Sequence, residues 1–327
     1  MVRRAASCGA CRRIAAGYWQ EAPRYILRMT KDVLSRRLRT AKPQPSGDRL
    51  ALTEGDLALF ELLNRHGPLP TTYLAAFLRA KSLGYLQWRL TRLYNGTRNT
   101  PSLLSRPPQQ FQSFAARYQP LLYDLTPASR RLIDERGTTL IERTDPFLHR
   151  FMGACVGASI EIGCRKQGLR YIPRMEILAK AGKPLAAQTG RGILIPDDLF
   201  GLQYRDGSYR FFAVEIDRQT ESLERTTIGY RTFAGKLENY AALMGMQGYK
   251  ECWGVPNLLV LTVTTSGPHL EGLLGVVRKR IPQQLWTRFL FKAHGEFCMR
   301  WRVPETLCHL LLTGWRYADG NLYIADP

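Results

Sequence analysis

Four carboxylates fall where a stable strand has no use for them. Two apolar, strand-like runs, 192–204 and 209–217, flank the turn Arg205-Asp206-Gly207-Ser208. Asp-Gly with a short polar neighbour between such runs predicts a β-hairpin. Asp197 and Asp198 interrupt the first run, and Glu215 and Asp217 sit in the second. An unpaired buried carboxylate is costly, so these acids are not there for stability. The period of two along a strand puts Glu215 and Asp217 on one face. Carboxylates gathered at one point of a sheet repel unless a positive charge lies among them. A hard divalent cation with oxygen ligands, Mg²⁺ or Mn²⁺, is the natural candidate. The rival reading is a hairpin whose acids pair with local arginines.

Pro196-Asp197, a hairpin, then Glu215-Ile216-Asp217 resembles the PD-(D/E)xK nuclease signature. The longer phrase is PDDLF from Pro196, VEIDRQTES from Val214, then KLENY from Lys236. It is similar to the replication-relaxation family of plasmids and other mobile elements, over roughly residues 50–290. The resemblance implies a winged helix followed by a restriction-endonuclease-like domain. It also implies catalytic roles for Asp197, Glu215, Asp217 and Lys236. The first two would ligate the metal, Asp217 would complete the site or orient water, and Lys236 would stabilise developing phosphate charge. One departure stands out: Asp217 occupies the position where the usual nuclease has lysine, leaving Lys236 or Arg218 to supply the cation. Nucleases of this class often add an acid from a preceding helix. Glu161 and Glu176 lie in that interval, and an ordinary surface glutamate is the competing reading for each.

With 327 residues the chain is long enough for two cores, and 45% hydrophobic residues is a globular composition. The formal net charge of +20 points to a polyanionic partner, with duplex DNA first and a membrane surface second. No run approaches the roughly 20 apolar residues of a membrane span. The Arg-rich start lacks the apolar segment of a signal peptide, so a bacterial cytoplasmic protein is expected. Seven cysteines without regular spacing argue against a disulfide scaffold. Cys8-x-x-Cys11 has zinc-ligand spacing but no second pair nearby, so no zinc is expected.

Three regions follow. Residues 1–50 form a basic arm and linker, with twelve Lys or Arg against three acids. Residues 51–143 read as a winged helix-turn-helix. Thr53, Ser82 and Thr126 are N-cap candidates for helices 54–65, 83–94 and 127–136. A strand is expected over 118–125, and a wing between Thr97 and Ala116. Residues 144–327 read as the nuclease-like domain, a mixed sheet flanked by helices. The overall class is therefore α/β with α+β character. Further strands are expected over 286–291, 297–303 and 314–324.

From Leu62 to Tyr123 there is no Asp or Glu, against eight basic residues. A solvated face normally mixes both signs, so this window fits a phosphate backbone. The candidate DNA contacts are Arg79, Lys81, Gln87, Arg89, Arg92, Arg98, Arg106 and Arg117. Three functions stay open on the sequence alone. One is a DNA-binding protein of a mobile element with a Mg²⁺-dependent endonuclease domain. Another is a non-catalytic accessory factor that recruits other replication, transfer or recombination proteins. The third is a transcriptional regulator that senses or dimerises through its C-terminal domain.

Overall fold

The computed structural model describes residues 42–45, 47, 49–78, 82–111, 119–219, 232–297 and 302–325. The basic arm up to residue 41, Cys8, Cys11, Arg79, Lys81 and Arg117 lie outside the described residues.

Local chemistry starts each helix. Thr53 accepts from the Asp56 N–H at 3.3 Å while Asp56 accepts from the Thr53 N–H at 2.7 Å, a reciprocal cap that opens α1 (Glu54–His66). A two-residue strand, β1 (Leu69–Pro70), leads into α2 (Thr71–Leu78). Ser82 caps α3 (Leu83–Asn95). Gly96 ends that helix at φ +66°, where a Cβ would lie 2.5 Å from the Thr100 carbonyl oxygen. Strands β2 (Leu104–Ser105) and β3 (Leu122–Leu125) follow, then α4 (Pro127–Asp134), capped by Thr126. The three short strands pair antiparallel in the order β1-β3-β2. This unit thus has three helices, a three-stranded sheet and a closing helix. The strand at 118–125 is shorter than the sequence suggested, because β3 begins only at Leu122.

The second half is built on a seven-stranded mixed sheet in the order β12-β11-β10-β9-β8-β7-β4. Helix α5 (Phe147–Gln167) precedes β4 (Arg170–Pro173) and α6 (Arg174–Ala181). The run 192–204 is not one strand. It divides into β6 (Gly192–Leu194), paired with β5 (Ala187–Thr189), and β7 (Asp198–Gln203). Pro196, which has no N–H to donate, lies at the break. Strand β8 (Tyr209–Asp217) returns antiparallel to β7 across the expected turn, where Gly207 adopts φ +83°. Next come α7 (Phe233–Gly245), α8 (Gly248–Trp253), β9 (Leu259–Thr264) and α9 (Gly267–Arg280). Strand β10 (Phe289–Ala293) follows a 3₁₀ turn at Gln283–Arg288, which takes up the first half of the strand expected over 286–291. Strands β8, β9 and β10 run parallel. Among the described residues 297–303 holds no strand, whereas 314–324 gives the hairpin β11 (Trp315–Tyr317) and β12 (Gly320–Leu322), after the short α10 (His309–Leu312).

Every residue of β9 is buried, as its continuous apolar run requires. On one sheet face Val214, Ile216, Leu261 and Val263 join a core that continues through α5 into Phe60, Leu63, Tyr73 and Leu90 of the N-terminal unit. On the other face Ala213, Val260 and Phe289 pack with Leu237, Tyr240, Leu273 and Val277 of α7 and α9. One core thus crosses position 143, where the sequence suggested a domain boundary. Close approach makes this joint: a Cβ on Gly157 of α5 would lie 3.2 Å from the His66 ring. Among the described residues no helix is long and apolar enough to cross a membrane.

Candidate functional site

The motif acids meet at a cavity of about 580 Å³ bordered by the start of α5, the β6–β7 connection, the end of β8 and the first turn of α7. Asp197, Glu215, Asp217, Arg218 and Lys236 all line it, together with His149, Arg143 and Arg174. The register explains the meeting. Asp198 pairs with Val214, so Asp197 lies just beyond the strand pair, and its Oδ2 accepts from the Ile216 N–H at 2.7 Å.

Each of these carboxylates already has a nitrogen partner. Asp197 faces His149 Nε2 at 3.1 Å. Glu215 is buried and forms an ion pair with Lys236, while the Tyr240 hydroxyl donates to its other oxygen. Lys236 and Tyr240 are one turn apart on α7, so one helical face serves one carboxylate. Asp217 is drawn aside: its Oδ2 lies 2.6 Å from His269 Nε2, at the start of α9, and its Oδ1 accepts from the Gln219 N–H at 2.8 Å. Gln219 sits at φ +60°, unusual for a residue with a Cβ, and its side chain is tied to Thr265 and Ser266.

These surroundings push the acids apart in proton affinity. Burial raises Glu215 to about 8, against the pull of Lys236 and with the Asp197 charge adding to the rise. Burial acts the same way on Asp197, but the His149 contact and the Lys236 charge outweigh it and lower its pKa. His149 is lowered by burial and raised more strongly by Asp197, for a net rise. Two carboxyls at one cavity thus hold opposite protonation tendencies.

The arrangement does not fit a divalent ion with the side chains where they stand. Among the described residues no three His, Cys, Asp or Glu side chains are grouped to hold a metal. Asp217, expected as the third ligand, is instead bonded to His269. Asp197 and Glu215 remain the two oxygen donors, engaged by His149 and Lys236 respectively.

Sequence reasoning placed Asp197, Glu215 and Lys236 together, and the structure brings them together. It missed His149 and His269, for which no local spacing gives a signal. Tyr240 could have been found from its i+4 relation to Lys236. Glu161 is neither a pocket acid nor a surface residue. It is buried in α5 and contacts Arg65 at 2.9 Å, His66 at 2.8 Å and Arg165 at 2.7 Å, joining α1 to α5. Glu176 is exposed and pairs with Arg170.

The proposed DNA contacts divide. Arg89 turns inward onto buried Asp56, with Nε 2.8 Å from Oδ1, and also donates to the Ala51 carbonyl at 2.6 Å. A buried carboxylate thus claims this candidate DNA contact first. Arg106 is likewise a packing residue, 4.0 Å over the Tyr94 ring and donating to Thr91 and Tyr123. Arg92 donates to the Arg49 carbonyl at 3.1 Å and keeps partial exposure. Gln87 and Arg98 are exposed.

The family model described as replication-relaxation matches residues 60–256, more than half of the chain. No curated protein and no solved structure matches it.

Proposed function

Because the chain belongs to the replication-relaxation family, we propose that it acts in the replication or transfer of a bacterial mobile element by binding duplex DNA. The nuclease-like domain then serves as a rigid body for docking DNA or partner proteins. The observation that carries this reading is the acid-free stretch 62–123 in a chain of net charge +20, folded around α1 to α3 and the small sheet. Its partners would be DNA, other replication, transfer or recombination proteins of the element, and a second copy of the chain; its setting would be the bacterial cytoplasm. Gel-shift titration of a duplex should show affinity falling with salt at a log–log slope of about −0.9 per phosphate contacted. A salt-insensitive affinity, or no binding at low salt, would sink the reading.

A second reading, a Mg²⁺- or Mn²⁺-dependent endonuclease, is favoured by one observation: Asp197, Glu215 and Lys236 converge on a single cavity. It requires the Lys236–Glu215 pair to open.

A further inference from the structure

With Arg89 committed to Asp56, the outward face of α3 is not the polar surface that duplex readout needs. It presents Leu83, Tyr85 and Trp88, which are 52%, 63% and 53% exposed. Tyr85 and Trp88 are three residues apart and so share a face, with ring centroids 5.6 Å apart and planes tilted by 35°. Large apolar side chains gathered at such exposure mark a contact surface more often than chance. Helix α3, LGYLQWRLTRLYN, carries no acid, and Arg98 just beyond it is exposed.

We propose that this face holds unpaired bases of single-stranded DNA by stacking them on Tyr85 and Trp88. The proposal rests on the DNA-binding reading and adds the strand state to it. In an intact duplex each base face is covered by its neighbours, and only the edges are open. Edges are read by donors and acceptors, whereas the exposed Tyr85 and Trp88 put ring faces there. An unpaired base exposes its π-face, which an aromatic ring of either type can cover without regard to sequence. The charge supports a nucleic-acid occupant over a protein: the helix carries no carboxylate to repel phosphates, and the chain has net charge +20.

The test uses the full chain and fluorescence anisotropy at one fixed salt concentration. The probes are a labelled single strand of mixed sequence and its duplex. Tyr85→Ala and Trp88→Ala should each weaken single-strand binding roughly tenfold, leave duplex affinity unchanged and leave the melting temperature unchanged. Trp88→Phe should restore most of the single-strand affinity. Equal losses on both probes, or no loss on either, overturn the stacking proposal while wild-type binding keeps the duplex reading alive. Wild type binding neither probe sinks both. If wild type sediments as a dimer and the variants as monomers, with DNA affinities unchanged, the face is a self-contact and the proposal is overturned.

Discussion

Replacing Glu161 by Gln is expected to destabilise the fold by about 3 kcal/mol at pH 7, the lower end of what breaking a buried ion pair costs. Glu161 is 3% exposed, and three cationic or donor groups converge on it from α1 and α5. The estimate sits at the low end because Arg65 and Arg165 keep 29% and 46% of their side-chain exposure and can rehydrate. Burial opposes ionisation of Glu161, yet the His66 bond and the His66, Arg65 and Arg165 charges outweigh it and hold the carboxyl well below the usual range. A carboxyl with a depressed folded pKa stabilises above its unfolded value, here 4.5, and loses that contribution as pH falls towards the folded one. The gap between wild type and Glu161→Gln should therefore be constant from pH 6 to 8 and narrow below about pH 4.5 in urea melts. A neutral substitution would mean that the Glu161 cluster adds nothing to the joint between the two halves.

Glu215→Gln should act in the opposite direction and raise stability. A carboxyl whose folded pKa is raised, here from 4.5 to about 8, is ionised in the unfolded chain before it is ionised in the fold. Stability therefore declines as pH climbs between those two values, and the Gln variant escapes the decline. Its advantage should be close to nothing at pH 4.5 and on the order of 1–3 kcal/mol at pH 8, discounted for the Lys236 partner. Lys236 is 27% exposed and can hydrate when its partner is neutral. Equilibrium unfolding at pH 5 and pH 8 measures the difference. A variant less stable than wild type at pH 8 would show that the Glu215–Lys236 pair is a net stabilising ion pair. Millimolar Mn²⁺ should leave the melting temperatures of wild type and variant alike unchanged. A rise confined to wild type would mean that the ion displaces Lys236, which would restore the endonuclease reading.

The legible parts of this fold were the local ones. Thr53, Ser82 and Thr126 cap their helices because a cap needs only a side chain and the next turn. The Asp206-Gly207 turn and the doubly buried β9 were readable for the same reason. Lys236 was found through the family resemblance, in which the helix after the motif supplies the missing lysine. What failed depended on partners distant in sequence. Arg89 looked free because its window of 62–123 holds no acid, but its partner Asp56 lies just outside that window. Glu161 read as a surface residue because its cations come from both another helix and its own next turn. His269 reaches Asp217 across 52 residues, and nothing in either neighbourhood announces the other.

Under the proposed function the protein holds DNA without cutting it. Incubating the full chain with supercoiled plasmid in Mg²⁺, in Mn²⁺ and in EDTA tests it most directly. The account predicts retarded, intact supercoiled plasmid in all three, with retardation lost as salt is raised. Conversion to nicked or linear plasmid in Mg²⁺ or Mn²⁺ but not in EDTA, abolished by Asp197→Asn, would contradict it.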